Sequence, residues 1–138
     1  MRYVIAFVVA AVVFLAMDFT WLSQTSATIY RPIIGELLSP TLRVGPAIAF
    51  YLVYLAGLTF FAIAPGLSGG GMKRVLMNGA LYGLCAYATY DLTNQATLKV
   101  WATQLTLLDL GWGMIVSTVS AAAGYRAASL LARRPSAA

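Results

Sequence analysis

Apolar residues run along this chain in four long blocks, separated by short polar, proline-rich or glycine-rich breaks. Each block is about 20 residues or longer, the length a helix needs to cross a bilayer. The pattern predicts helices over about 3–22, 44–64, 75–95 and 105–131. The last is the longest, and a span longer than the hydrocarbon thickness tilts or protrudes. Pro46 suits the first turn of the second helix, where its missing N–H costs nothing, and Pro65-Gly66 is expected to stop that helix. Ser68-Gly69-Gly70-Gly71 then makes a short turn. The first block has a basic Arg2 before it, as a signal sequence does, but Asp18, Trp21 and Gln24 stand where small residues would lead to a cleavage site, so the helix is expected to be retained.

The stretch 24–43 is predicted to be a long loop on the outer side. Inside it Ile33, Ile34, Leu37 and Leu38 recur at helical spacing between Pro32 and Pro40. A short amphipathic helix at the membrane surface and a packed loop fit this equally. The expected fold is all-α: a four-transmembrane-helix bundle forming one domain over residues 1–138.

Composition agrees with the pattern. The chain is 61% hydrophobic and only 9% charged, with mean hydropathy +0.82, against about 25% charged in soluble domains. The net charge of +5 comes from residues at the ends of segments, so nucleic acid is not an expected partner and the lipid bilayer is. Arg2, Lys73, Arg74, Arg133 and Arg134 fall on one side, against Arg31, Arg43 and Lys99 on the other. That bias places both termini in the cytoplasm of a bacterial inner membrane. The single cysteine, Cys85, allows no internal disulfide and reads as a buried, inert thiol. The chain has no histidine, which removes the usual near-neutral proton shuttle.

Against this apolar background a few polar residues stand out. Of the four acidic residues, Glu36 lies in the long loop, while Asp18, Asp91 and Asp109 lie inside or at the ends of predicted spans. A carboxylate at the bilayer centre costs about 3 kcal/mol on insertion scales. In the expected topology all three aspartates sit at one level, near the outer interface. Tyr87, Asp91, Asn94 and Gln95 share one helical face, which should turn into the bundle. Asp109 is followed by Gly113, Ser117, Ser120 and Gly124, a small-residue face that permits close helix contact. Gly79 and Gly83 form a GxxxG pair, a common dimer pattern. Asp18 shares its face with Phe7, Ala11, Phe14 and Trp21. Trp21, Trp101 and Trp112 lie near the same level, where an interfacial belt explains them. The candidate binding cluster is therefore Asp18, Asp91, Asn94, Gln95, Asp109, Tyr87, Trp21, Trp112 and Lys99. Lys99, Arg31 and Arg43 are the cations that could instead lock the aspartates into structural ion pairs. Arg2 to Asp18 weakly echoes Arg74 to Asp91, a likeness that chance between apolar segments also explains.

Oxygen-only ligands suit a proton or a hard divalent cation, although no cofactor is evident. No Walker loop, GxSxG, HExxH, paired CxxC or dinucleotide fingerprint is present. Three function classes stay open. The leading one is a protein that binds or transports a proton, cation or polar headgroup at the acidic and amide site. The second is an intramembrane lipid-modifying enzyme using an aspartate-bound divalent metal. The third is a structural or accessory membrane subunit. Four helices are few for a monomeric transporter, so the first class implies a homo-oligomer or a partner membrane protein.

The run Tyr90-Asp91-Leu92-Thr93-Asn94-Gln95-Ala96-Thr97-Leu98-Lys99 resembles the signature of a bacterial membrane-protein family, domain of unknown function 2177. So do Asp18-Phe19-Thr20-Trp21-Leu22, Tyr30-Arg31-Pro32, Phe50-Tyr51-Leu52-Val53-Tyr54 and Asp109-Leu110-Gly111-Trp112-Gly113. The resemblance spans nearly the whole chain. It implies a four-helix membrane protein of unassigned activity and carries over no catalytic residues.

Overall fold

In the computed structural model, residues 1–132 are described; Arg133 and Arg134, counted above for orientation, lie outside them. Within them the chain is all-α, in the order α1 (Arg2–Thr25), α2 (Arg31–Ile34), α3 (Val44–Leu58), α4 (Gly71–Thr97) and α5 (Thr103–Ala132). Helical hydrogen bonding also continues between several of these. A π-helical turn, Ser26–Tyr30, joins α1 to α2, and a 3₁₀ turn, Gly35–Leu37, follows. Two further π turns, Thr59–Ile63 and Gly66–Gly70, carry α3 toward α4.

Three helical stretches are thus long and apolar enough to cross a membrane: Arg2–Leu37, Val44–Thr97 and Thr103–Leu131. This corrects the expected count of four separate spans, and the reason lies in how the chain accommodates proline. Pro32 and Pro65 each follow a π turn, as the second residue after it. A proline in a regular helix loses one hydrogen bond and clashes with the carbonyl four residues back. The wider π turn moves that carbonyl away. For Pro65 the freed carbonyl is that of Phe61, and the Asn78 amide donates to it at 2.8 Å. The helix therefore runs through Pro65-Gly66 instead of stopping there. Likewise most of the expected 24–43 loop is helical, and only 38–43 is not.

The 54-residue Val44–Thr97 stretch doubles back where Ser68 and Gly69 leave helical geometry, at φ −89° and +109°. Gly69 and Gly71, at φ +109° and +68°, occupy the left-handed region that glycine enters without penalty. The two arms then run antiparallel, tied by Asn78 to Phe61 and by the Tyr82 hydroxyl, which donates to the Tyr54 carbonyl at 2.9 Å.

α5 is the centre of the bundle, packed by α4 on one flank and α1 on the other. Small residues set both contacts. A Cβ added at Gly83 would stand 2.1 Å from the Gly113 carbonyl oxygen, and one at Gly124 would stand 2.5 Å from that of Ala6. Gly79 and Gly83 thus pack within the chain against α5, not across a dimer. The core joins Ala6, Ala10 and Phe14 of α1 to Tyr54, Leu55, Leu58, Ala62 and Ile63, and to Val75, Val116, Ala121 and Ala128. Much of the outer surface is apolar, including Val4, Val8, Val12, Phe60, Phe61 and Leu81. Cys85, expected to be buried, is exposed on it. Hydroxyls on this surface donate back to their own helix, as Thr20, Thr89, Thr93 and Thr118 do to the carbonyls four residues earlier. Self-satisfaction of this kind is what an apolar solvent requires.

Candidate functional site

Close contact between α4 and α5 has a chemical result. Gly83 and Gly113 bring the two helices together, and the turns beyond them carry Asp91 and Asp109 into one buried place. Asp91 is fully buried, and among the described residues neither of its oxygens has a hydrogen-bond partner. Its carboxyl abuts that of Asp109, itself only 5% exposed. Two acceptors face each other there, and no donor stands between them unless one carboxyl carries a proton. Two ionised carboxylates in contact, away from water and without a cation, are strongly disfavoured.

Asp109 has a partner from a distant part of the chain. The Tyr30 hydroxyl, carried on the π-helical extension of α1, donates to Asp109 Oδ1. Trp21 Nε1 in turn donates to the Tyr30 oxygen at 3.0 Å. The Trp21 ring stacks on Trp112, with centroids 4.5 Å apart and planes 8° from parallel. The two indoles thus pack on each other and, through Tyr30, connect to Asp109. Trp101 belongs elsewhere, donating from Nε1 to Thr106 Oγ1 at 3.0 Å.

Asp18 is buried nearby, within electrostatic reach of Asp109 and of Tyr87. It accepts a hydrogen bond of 2.6 Å from the Tyr51 hydroxyl of α3. Asp91 and Asp109 are thus in contact, and Asp18 stands near them with a tyrosine of its own. The observed donors to Asp18 and Asp109 are both tyrosine hydroxyls, whereas Lys99 is exposed in the turn after α4. Among the described residues no three Asp, Glu, His or Cys side chains group as a metal centre would need.

The two amides part: the Asn94 side chain meets the Tyr90 hydroxyl, beside the cavity described below, while Gln95 works in the turn. Gln95 donates to Thr103 Oγ1 at 2.9 Å and accepts from Thr106 Oγ1 at 2.8 Å, pinning the α4–α5 turn. The Asn94 carbonyl receives the Leu98 N–H at 2.8 Å, ending α4. Tyr87 does belong near the pair: its ring fills the space a Cβ on Gly113 would occupy and meets Tyr54 edge-on at 6.3 Å.

Beside the pair lies a cavity of about 360 Å³ between α3 and α4, lined by Phe50, Tyr54, Ala86, Tyr87, Tyr90 and Asp109. Behind it the Tyr54 hydroxyl bonds Ser117 Oγ at 2.6 Å, and the Ser117 hydroxyl donates to the Gly113 carbonyl. Sequence reasoning did not place Tyr30, Tyr51, Tyr54, Phe50 or Tyr90 at the site. The available signal was that all five fall in the stretches that carry the family resemblance.

No curated protein and no solved structure matches the chain. A family model described as a predicted membrane protein, domain of unknown function 2177, matches residues 3–126. The match takes in α1 through most of α5, with Asp18, Asp91 and Asp109 inside it, and the chain belongs to that membrane-protein family.

Proposed function

We propose that this is a bacterial inner-membrane protein whose Asp91–Asp109 carboxyl pair binds a proton or a cation inside the bilayer. In this reading the doubled Val44–Thr97 stretch crosses twice, which gives three helical stretches four crossings, with both termini in the cytoplasm as the basic residues favour. Each arm is long enough. The arm before Ala64 has about 20 helical residues, which at 1.5 Å per residue span about 30 Å.

One observation carries the binding site: Asp91, fully buried, has no partner for either oxygen among the described residues. A residue kept only to hold helices together would be expected to have its polar atoms satisfied. An acid poised to gain and lose a proton or cation needs them free. Tyr30, donating to Asp109, favours the arrangement in which Asp109 is the ionised partner and Asp91 carries the shared proton. The pair then holds one negative charge in all.

Infrared spectroscopy of the protein in lipid nanodiscs at neutral pH tests this. The carbonyl stretch of a protonated carboxylic acid is expected in the wild type and absent from Asp91→Asn. A wild-type spectrum without that band at neutral pH overturns the proposal.

A further inference from the structure

The cavity beside the pair is built for one kind of ligand. Its walls are the rings of Phe50 and Tyr54 from α3 and of Tyr87 and Tyr90 from α4, and its one charged group is Asp109. Phe50 and Tyr90 are 48% and 58% exposed, so the opening lies between half-open rings on the side of the bundle, where lipid would stand. Asp109 is the member of the carboxyl pair that lines it, with Asp91 in contact behind. A hydrated metal ion would find one carboxyl group and mainly aromatic carbon there, where it needs six or more oxygens. An alkylated ammonium would find four aromatic rings, whose faces attract such cations within about 6 Å. Its single positive charge would also match the single negative charge of a carboxyl pair sharing one proton. At about 30 Å³ per water-sized group, the volume holds roughly a dozen non-hydrogen atoms.

We propose that this cavity is a binding site for a lipophilic organic ammonium ion, which enters sideways from the bilayer between α3 and α4. Its charge is met by Asp109 and its alkyl groups by Phe50, Tyr54, Tyr87 and Tyr90. The inference rests on the carboxyl pair proposed above and adds the identity of the cation. Asp91, buried, unpartnered and against Asp109, is the reserve proton carrier that lets the pair keep one negative charge as the ligand arrives. The ammonium could come from a free amine or from a lipid headgroup.

The probe is benzyltrimethylammonium, with neopentylbenzene as its uncharged carbon isostere. Each is titrated into the full-length protein in phosphatidylglycerol nanodiscs while the thermal midpoint and tryptophan fluorescence are followed. The cation is expected to raise the midpoint saturably, and neopentylbenzene to leave it unmoved. Asp109→Asn should abolish the response. Tyr90→Leu, at a half-exposed position that folding tolerates, should weaken binding about fivefold. Phosphatidylcholine nanodiscs separate the sources. A headgroup ligand already occupies the site there, so the probe adds no shift, whereas a free-amine site responds equally in both lipids. An equal response to neopentylbenzene, or a response that survives in Asp109→Asn, overturns the proposal. A wild type that shows the infrared acid band yet ignores the ammonium in phosphatidylglycerol overturns this inference alone and leaves the proton site standing.

Discussion

Replacing Asp91 by asparagine separates a site from a scaffold, because the two readings differ in magnitude as well as in sign. Asparagine keeps the side chain's shape and can donate to Asp109 through its amide. In the wild type the pair is held by at most one shared proton, and among the described residues no tyrosine, lysine or arginine bonds Asp91. The substitution therefore exchanges one hydrogen bond to a charged acceptor for another, each worth roughly 1.5–3 kcal/mol. The net change should be within about 1 kcal/mol of zero. Had Asp91 been half of a buried ion pair, neutralising it would strand the cation and cost about 3–5 kcal/mol. At about 3 °C per kcal/mol for a chain of this size, the first case moves the melting midpoint by about 3 °C or less and the second lowers it by about 10 °C or more. Scanning fluorimetry of purified wild type and Asp91→Asn in the same nanodiscs resolves that gap. A fall of 10 °C or more would refute the argument and assign Asp91 a structural role.

Three further outcomes follow from the same contacts. Tyr30→Phe removes the hydroxyl that donates to Asp109 and should cost about 1–3 kcal/mol, read as a lower midpoint with altered Trp21 fluorescence; an unchanged midpoint would show that this bond holds nothing. Gly83→Ala places a methyl against the Gly113 carbonyl and should cost about 1–3 kcal/mol or more while weakening the infrared acid band, because α4 and α5 must part; wild-type behaviour would show that their spacing is not set there. With Cys85 removed, Glu36→Cys should react in whole cells with an impermeant thiol reagent and Ser68→Cys, at the exposed reversal, should not; the opposite pattern inverts the proposed topology.

What could be read in the sequence follows from which forces act locally. The apolar blocks show the helices because burial in lipid is a property of each segment by itself. The cost of a carboxyl in an apolar span singled out Asp91 and Asp109 before any contact was known. Their tyrosine partners were hidden, since Tyr30 lies 79 residues from Asp109 and Tyr51 lies 33 from Asp18, and no periodicity spans such distances. Gln95 shares a helical face with Asp91 yet works in the turn, because a face continues only until the helix needs its last side chains to close the loop. Pro32 and Pro65 read as breaks because proline ends a regular α-helix. A π turn placed just before each one overrides that rule, and nothing in single-residue preference reveals it.

The turn at Ser26–Tyr30 has a consequence for any comparison between relatives. A π turn holds one residue more than the α-helix it interrupts, and one helical residue is worth about 100° of rotation. A chain with one residue fewer between Trp21 and Tyr30 could keep α1 straight and Asp18 in place. It would also keep the following tyrosine beside Asp109, because a π turn takes up its extra residue within one turn and leaves the helix beyond it in phase. A single-position gap in an alignment there is thus a neutral length difference for the hydroxyl on Asp109. A chain of unchanged length that closed this turn into a regular α-helix would instead swing the tyrosine by about 100°, and such chains should be sorted from this one before their site residues are compared.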